Sequence, residues 1–439
     1  MKFLLLAGLL ALEVGAAQPP PPATLTLGPG EGVLLSPLAL NGFNYGNWMP
    51  VVEARESLRA VRPTSLRFPG GNVGDENDLI AQAFVPLRAN LGLLTVSAAP
   101  ALIVQTRVFA TKPDSANTPQ DAANAAQSAR EAGLQVAFWE IGNEPDLYAV
   151  TRGDPTWTPE RYCATFRAQR EAILRVDPQT KFAGPAVSGA VPARDAFLER
   201  FVRGCGDVLD LLTWHEYPTD GTRSDEDALA SVASLEEHAR SFRELLRDPA
   251  RNPLGHARAT LLGVTEYGLS YRSDRPRHLS DQVGALWAAE ATLRLAEAGV
   301  HVANYFALQA TGAHGLVDLA GVPRPTLYAF EQLRHFQGRA LPLGVSDPDL
   351  WVHAAKDGDT LTLLVTNTAT NPQALAPELP GFRLLGAKTF TAQTVEDEAP
   401  FIPLKLGKAV ELPPRSLTRL AYRRLPSASS LLSPPSRTP

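Results

Sequence analysis

The chain has 439 residues, of which 44% are hydrophobic and 20% charged, with a formal net charge of −5. That is enough for one large globular domain and a smaller one. No basic stripe or Arg/Lys block is visible, so nothing favours nucleic acid or an anionic membrane surface as a partner.

Residues 1–17 place Lys2 before an apolar run from Phe3 to Leu12 and end on small residues at Gly15 to Ala17. This pattern reads as a secretory signal peptide, and predicts a secreted or periplasmic protein without stable membrane insertion. Residues 18–37 begin proline-rich and contain a strand-like piece, Ala23 to Leu27. The two cysteines, Cys163 and Cys205, are compatible with a disulfide after export or with two buried thiols. No His/Cys cluster has metal-ligand spacing, so neither a metal nor another cofactor is expected.

From residue 38 to 337 apolar runs alternate with helical stretches. The runs are Leu38 to Phe43, Ser65 to Gly71, Leu102 to Val108, Gln135 to Ile141, Lys181 to Val187, Leu211 to Tyr217, Leu261 to Tyr267 and Val302 to Leu308. Between them lie helix-like segments such as PERYCATFRAQREAILRV and QVGALWAAEATLRLAEAG, several closed by a Gly that suits a helix C-cap. Eight strand–helix units predict a (β/α)8 TIM barrel, with a doubly wound open sheet as the runner-up. Beyond residue 337 the texture changes to short strands. An Asp-Gly turn at Asp357 and Gly358 signals a hairpin. Residues 338–424 are therefore expected to form an antiparallel β-sandwich domain, which the Ala23 to Leu27 strand joins, and residues 425–439 a disordered tail.

Two runs end on a carboxylate. The fourth continues into Gly142, Asn143, Glu144 and Pro145, and Pro145 stops the strand because it has no N–H to donate. The seventh ends with Glu266 in TEYG. Strands four and seven stand on opposite sides of an eight-stranded barrel, so two long carboxylates there face each other across the mouth. Glycosidic bond cleavage needs such a pair, one protonated and one ionised.

With these residues in view, the chain resembles the large clan of retaining glycoside hydrolases built on (β/α)8 barrels. That resemblance implies Glu144 as general acid/base, Glu266 as nucleophile and Asn143 as a contact to the sugar 2-hydroxyl. It also implies Arg67, in SLRFPGG, beside the nucleophile, and His215, in TWHEYP, near the site. Within the clan the WEIGNEP and TWH stretches and the appended β-domain are most similar to the heparanase and β-glucuronidase family. Members acting on xylosides, arabinofuranosides and β-glucans share similar pieces and stand as the alternative. The expected partner is an oligo- or polysaccharide or a glycoconjugate.

Around this core, Tyr217 is a candidate to orient Glu266. A partly apolar wall including Trp139 would raise the Glu144 pKa. Asn41, Asn44, Tyr45 and Trp48 are assigned to the first loop, and Tyr305 to strand eight, as candidates to contact the sugar. Strand alternation directs Glu216 and Glu140 away from the mouth, with an inward Arg pairing as the exception for Glu140. A carbohydrate-binding protein with a disabled barrel, or a metal-dependent hydrolase built on a His/Asp cluster, would be a different class of function.

Overall fold

The computed structural model describes residues 21–76, 79, 81–110, 116–275 and 277–426. The expected signal peptide at 1–17 and most of the expected tail lie outside them. Among the described residues no helix is long and apolar enough to cross a membrane.

Eight parallel strands close into a barrel: β1 (Gly42–Asn44), β2 (Ser65–Phe68), β3 (Ala101–Thr106), β4 (Val136–Ile141), β5 (Lys181–Val187), β6 (Leu211–Glu216), β7 (Leu261–Tyr267) and β8 (Val302–Tyr305). Each strand is followed by a helix that covers its outer face, from Arg55–Ala60 after β1 to Pro325–Leu333 after β8. The helix after β4, Pro159–Val176, shows why. Thr158 caps it by accepting from the Arg161 N–H, Pro159 stands in its first turn, and Tyr162, Phe166, Gln169 and Ile173 form its buried stripe. Cys163 on this helix is disulfide-bonded to Cys205 at the end of the next, Pro192–Cys205.

Inside the barrel, Ile103, Phe138, Ala183, Leu211 and Val302 form a separate apolar cluster that plugs the barrel interior. The charged side chains Arg67, Glu140 and Glu266 gather at the end where the strands terminate, which is where barrel enzymes place their chemistry. β7 carries one more residue than either neighbour. His215 of β6 pairs with Glu266 one step after Trp214 pairs with Val264, and the β8 pairing shifts over the same stretch. Such a bulge re-aims the side chain that follows it. It brings Glu266 to the interior although simple alternation groups it with the outward Val264.

The remaining strands form an antiparallel β-domain. Its seven-stranded sheet runs, in spatial order, Ile402–Pro403, Phe382–Phe390, Ser416–Arg424, Thr360–Asn367, Leu350–Asp357, Arg339–Leu341 and Val33–Leu34. The hairpin joining Leu350–Asp357 to Thr360–Asn367 turns at Gly358, with φ +56°. The strand Leu25–Leu27 pairs with Leu343–Val345, and Gln373–Leu375 with Val410–Leu412, as two smaller ribbons. One face of the large sheet packs on the barrel helices through Ala355, Leu364, Phe390 and Leu417. Across that interface His353 bonds both Glu290 (3.0 Å) and Glu297 (2.9 Å) of the helix Gln282–Glu297.

Candidate active site

Arg67 of β2 organises the polar end of the barrel. Its guanidinium is fully buried and bonds four acceptors: Glu140 at 2.5 Å, Asn143 at 2.8 Å, Glu266 at 3.0 Å and Asn44 at 3.1 Å. Burial disfavours its charge, but the carboxylates of Glu140 and Glu266 outweigh that and hold its pKa above the ordinary value. Asn44 is fixed in turn by donating to the carbonyls of Thr265 (3.0 Å) and Asn304 (3.1 Å).

Glu266 receives a second donor, the Tyr217 hydroxyl at 2.6 Å from its other oxygen. Burial and the adjoining carboxylate push the Tyr217 pKa well above its usual value, so the phenol keeps its proton. Glu144 sits in the turn after β4 with φ +46°, a left-handed conformation that costs a non-glycine residue of order 1–3 kcal/mol and clusters at functional sites. Two hydrogen-bond contacts and a tightly packed glycine before it hold it there. Its backbone N–H donates to the Ala186 carbonyl at 2.9 Å, where β5 is irregular. Gly142 precedes it with φ +81°, and a Cβ there would meet Val108 at 2.7 Å. His215 Nδ1 lies 2.9 Å from its carboxylate. Burial raises the Glu144 pKa to about 7, against the opposing charges of Arg67 and Arg194. Burial also lowers the His215 pKa to about 4, leaving the imidazole neutral at neutral pH.

One carboxylate oxygen of Glu144, one of Glu266 and a ring nitrogen of His215 all lie within 4.8 Å of one another. The sequence spacing had pointed to no metal cluster, yet these donor types could hold a cation. The buried Arg67 charge, 3.0 Å from Glu266, opposes a second positive charge in the same place. As a carboxylate pair the geometry suits a retaining glycosidase, in which the two groups stand about 5–5.5 Å apart, rather than an inverting one at about 6.5–9.5 Å.

The structure therefore gathers Glu144, Glu266, Asn143, Arg67, His215 and Tyr217 in one place. It does not bring Asn41 there. Asn41 precedes β1 at the opposite end of the barrel, where its amide donates to the carbonyls of Val61 and Phe330. Tyr305 also faces away: it is 2% exposed and its ring packs on Tyr267 and Phe330, on the helix side of the barrel. Trp48 lies on the loop after β1, at the polar end, 37% exposed. Trp139 does not wall Glu144. It stands beside Phe182 of β5, whose ring contacts Phe166 on the outer helix, so its side chain also points outward. Glu216 faces the helices as alternation requires, bonded to Trp214 and His238. Glu140 does the reverse, facing inward onto Arg67. Asp75, on the short helix Asn72–Glu76 after β2, went unnoticed in the sequence because no motif marks it.

No protein-family model matches the chain. It is 25% identical over 325 residues to a β-xylosidase of Geobacillus stearothermophilus, covering 67% of this chain and 60% of that protein. It is 24% identical over 247 residues to a β-xylosidase of Caldicellulosiruptor saccharolyticus, covering 52% of this chain and 48% of that protein. The chain thus spans about half the length of these curated relatives. A family 51 α-L-arabinofuranosidase from Bifidobacterium longum superimposes with a TM-score of 0.72 at 16% identity, covering 93% of this chain and 100% of that one. A family 44 xyloglucanase from Paenibacillus polymyxa does so with a TM-score of 0.67 at 13% identity, covering 91% and 99%. At these identities the structural likeness establishes the fold, a (β/α)8 barrel with a β-domain.

Proposed function

We propose that the protein is a retaining glycoside hydrolase acting on a neutral glycan, with xylosides and arabinofuranosides as the foremost substrates. The observation that carries this reading is the pair Glu144 and Glu266, within 4.8 Å of each other and differently solvated. With a pKa of about 7, Glu144 still holds its proton in a large share of molecules at neutral pH and can give it to the leaving oxygen. Glu266, aligned by Arg67 and Tyr217, attacks the anomeric carbon as the glycosidic bond breaks, forming a glycosyl ester. Glu144, now ionised, takes a proton from water, which hydrolyses the ester and restores both carboxyl groups. An Nδ1–H on neutral His215 would stabilise the Glu144 carboxylate between these steps. Asn143, held through its side-chain oxygen by Arg67, has its amide N–H2 left to donate to a sugar hydroxyl.

Two features support a neutral sugar. Arg67 is committed to four acceptors, and Arg194, the other cation that bears on Glu144, is drawn to Asp146 at 3.5 Å. A glucuronate carboxylate would add negative charge to a cleft already holding two glutamates. The β-xylosidase names of the relatives point the same way. The glucuronidase or heparanase-like reading, which rests on the WEIGNEP and TWH stretches, is the rival.

The test is a panel of aryl xyloside, arabinofuranoside, glucoside and glucuronide. The expected outcome is hydrolysis of a pentoside by the wild type, with Glu144→Ala and Glu266→Ala each impaired by orders of magnitude. Cleavage of the glucuronide alone would overturn the neutral-sugar reading. Full activity in both variants, or binding of glycans without hydrolysis, would overturn the enzyme reading. Export, expected from residues 1–17, is proposed on the same terms and is checked by N-terminal sequencing of protein recovered outside the cell.

A further inference from the structure

Behind the acid/base turn lies a second ionisable cluster that the reaction as described above does not use. Asp75 is 0% exposed, so it touches neither solvent nor a sugar in the cleft. One of its oxygens accepts from the Tyr148 hydroxyl at 2.8 Å. The other has no hydrogen-bond partner among the described residues. Arg152 approaches the same carboxyl at 3.6 Å, and is itself shared with Glu76 at 3.2 Å. Tyr148 is 1% exposed and packs in a triangle of rings with Phe109 and Trp157, each centroid 5.2 Å from its own and the two 6.4 Å from each other. Tyr148 closes the turn that Glu144 opens: the Leu147 N–H donates to the Glu144 carbonyl at 3.0 Å and the Tyr148 N–H to the Pro145 carbonyl. Asp75 is therefore tied, through a clamped phenol, to the backbone turn that carries Glu144.

A buried carboxyl is costly unless it is paired, and removing it would leave the Tyr148 hydroxyl orphaned. Packing alone would be better served by an amide or an apolar side chain of similar size. We propose that Asp75 and Tyr148 are positioning residues for the acid/base: the Asp75 carboxyl fixes the Tyr148 hydroxyl, and Tyr148, at the end of the turn that Glu144 opens, so holds the left-handed Glu144 backbone in register with Glu266. This rests on the retaining-hydrolase reading above.

Charge adds a second link. The groups that bear on Asp75 are Tyr148 and Arg152 from the segment after β4, Glu144 from the turn and Arg67 from β2. Burial raises Asp75 to about 7, Tyr148 and Arg152 pull it back, and Glu144 pushes it further up. Repulsion between two carboxylates is mutual, so an ionised Asp75 keeps the proton on Glu144 to higher pH.

The test compares Asp75→Asn and Tyr148→Phe with wild type on the phenyl and 2,4-dinitrophenyl glycosides of the sugar cleaved in the panel above. The phenyl glycoside needs a proton for its poor leaving group; the dinitrophenyl glycoside does not. Both variants are expected to lose about tenfold or more in kcat/KM on the phenyl glycoside and less than about threefold on the activated one. In Asp75→Asn the alkaline limb of the phenyl glycoside profile should also move to lower pH. Equal losses on the two substrates would mark a merely structural role and overturn the proposal, as would unchanged kinetics with an unmoved alkaline limb. If Asp75→Asn fails to fold, Tyr148→Phe, which keeps the carboxyl, decides by the same comparison. An inactive wild type, or an unimpaired Glu144→Ala, would overturn the hydrolase reading instead, and is seen before either variant is measured.

Discussion

Glu144 should make the folded protein less stable as the solution becomes alkaline, and Glu144→Gln should relieve that. The carboxyl titrates at 4.5 when unperturbed and at about 7 in the fold, because burial penalises its anion. A carboxyl whose pKa is raised by folding imposes no penalty below its unfolded value. The penalty grows as pH rises between the two values and is complete above the folded one. At about 1.4 kcal/mol per unit, the shift corresponds to roughly 3 kcal/mol at pH 8.5. The side chain is 18% exposed, so solvent screens little of it. Gln cannot ionise, and any change in its bond to His215 adds an offset that is the same at every pH. The stability difference between Gln and wild type should therefore shift in favour of Gln by about 3 kcal/mol between pH 4.5 and pH 8.5. At on the order of 1 °C per kcal/mol for a chain of this length, this is a change of about 3 °C in the relative Tm. Thermal unfolding of both proteins at several pH values measures it. A pH-independent difference would refute the assignment of Glu144 as a buried, neutral-pH acid, and with it the reason why this carboxyl is the proton donor.

Three further outcomes follow from the same geometry. Arg67→Met strands Glu140 and Glu266 in a buried site, and should cost about 3–5 kcal/mol in denaturant unfolding as well as nearly all activity; a loss below 1 kcal/mol would contradict the role given to Arg67. Tyr217→Phe removes one charge-assisted bond to Glu266, worth about 1.5–3 kcal/mol, and should lower kcat/KM by about 10- to 100-fold with the fold intact by circular dichroism. His353→Gln should loosen the β-domain from the barrel. Glu290 and Glu297 raise the His353 pKa to about 10, so its contribution is complete below the unfolded value and fades as pH rises through the folded one. The destabilisation should accordingly be larger at pH 6 than at pH 10.5, and an equal loss at both would rule out a charged clamp.

The barrel was legible in the sequence because parallel strands buried on both faces leave continuous apolar runs, and eight of them recur between helical segments, some of which close on a glycine such as Gly133 or Gly299. The two glutamates were legible because each closes such a run. Errors arose where a residue or two decides the outcome. The first apolar run begins at Leu38, which places Asn41 near its end; the strand is Gly42–Asn44, so Asn41 falls at the wrong end of the barrel and Asn44 at the right one. Tyr305 and Trp139 looked like site aromatics, but the period of two turns both onto the helices. The same rule, applied to Glu140 without knowing which neighbours point inward, put it on the wrong face. Applied to Glu266 it fails as well, because the extra residue in β7 turns that side chain inward. Asp75 carries no signal at all, since its importance lies in contacts with Tyr148, 73 residues away.

The most direct test of the central claim is covalent trapping of the nucleophile. The wild-type enzyme is incubated with a 2-deoxy-2-fluoro glycoside of the cleaved sugar bearing a dinitrophenolate leaving group, then digested and mapped by mass spectrometry. The account predicts one glycosylated peptide, modified at Glu266, with time-dependent inactivation and no label in Glu266→Ala. A label on any other residue, or release of product with inverted anomeric configuration, would contradict it.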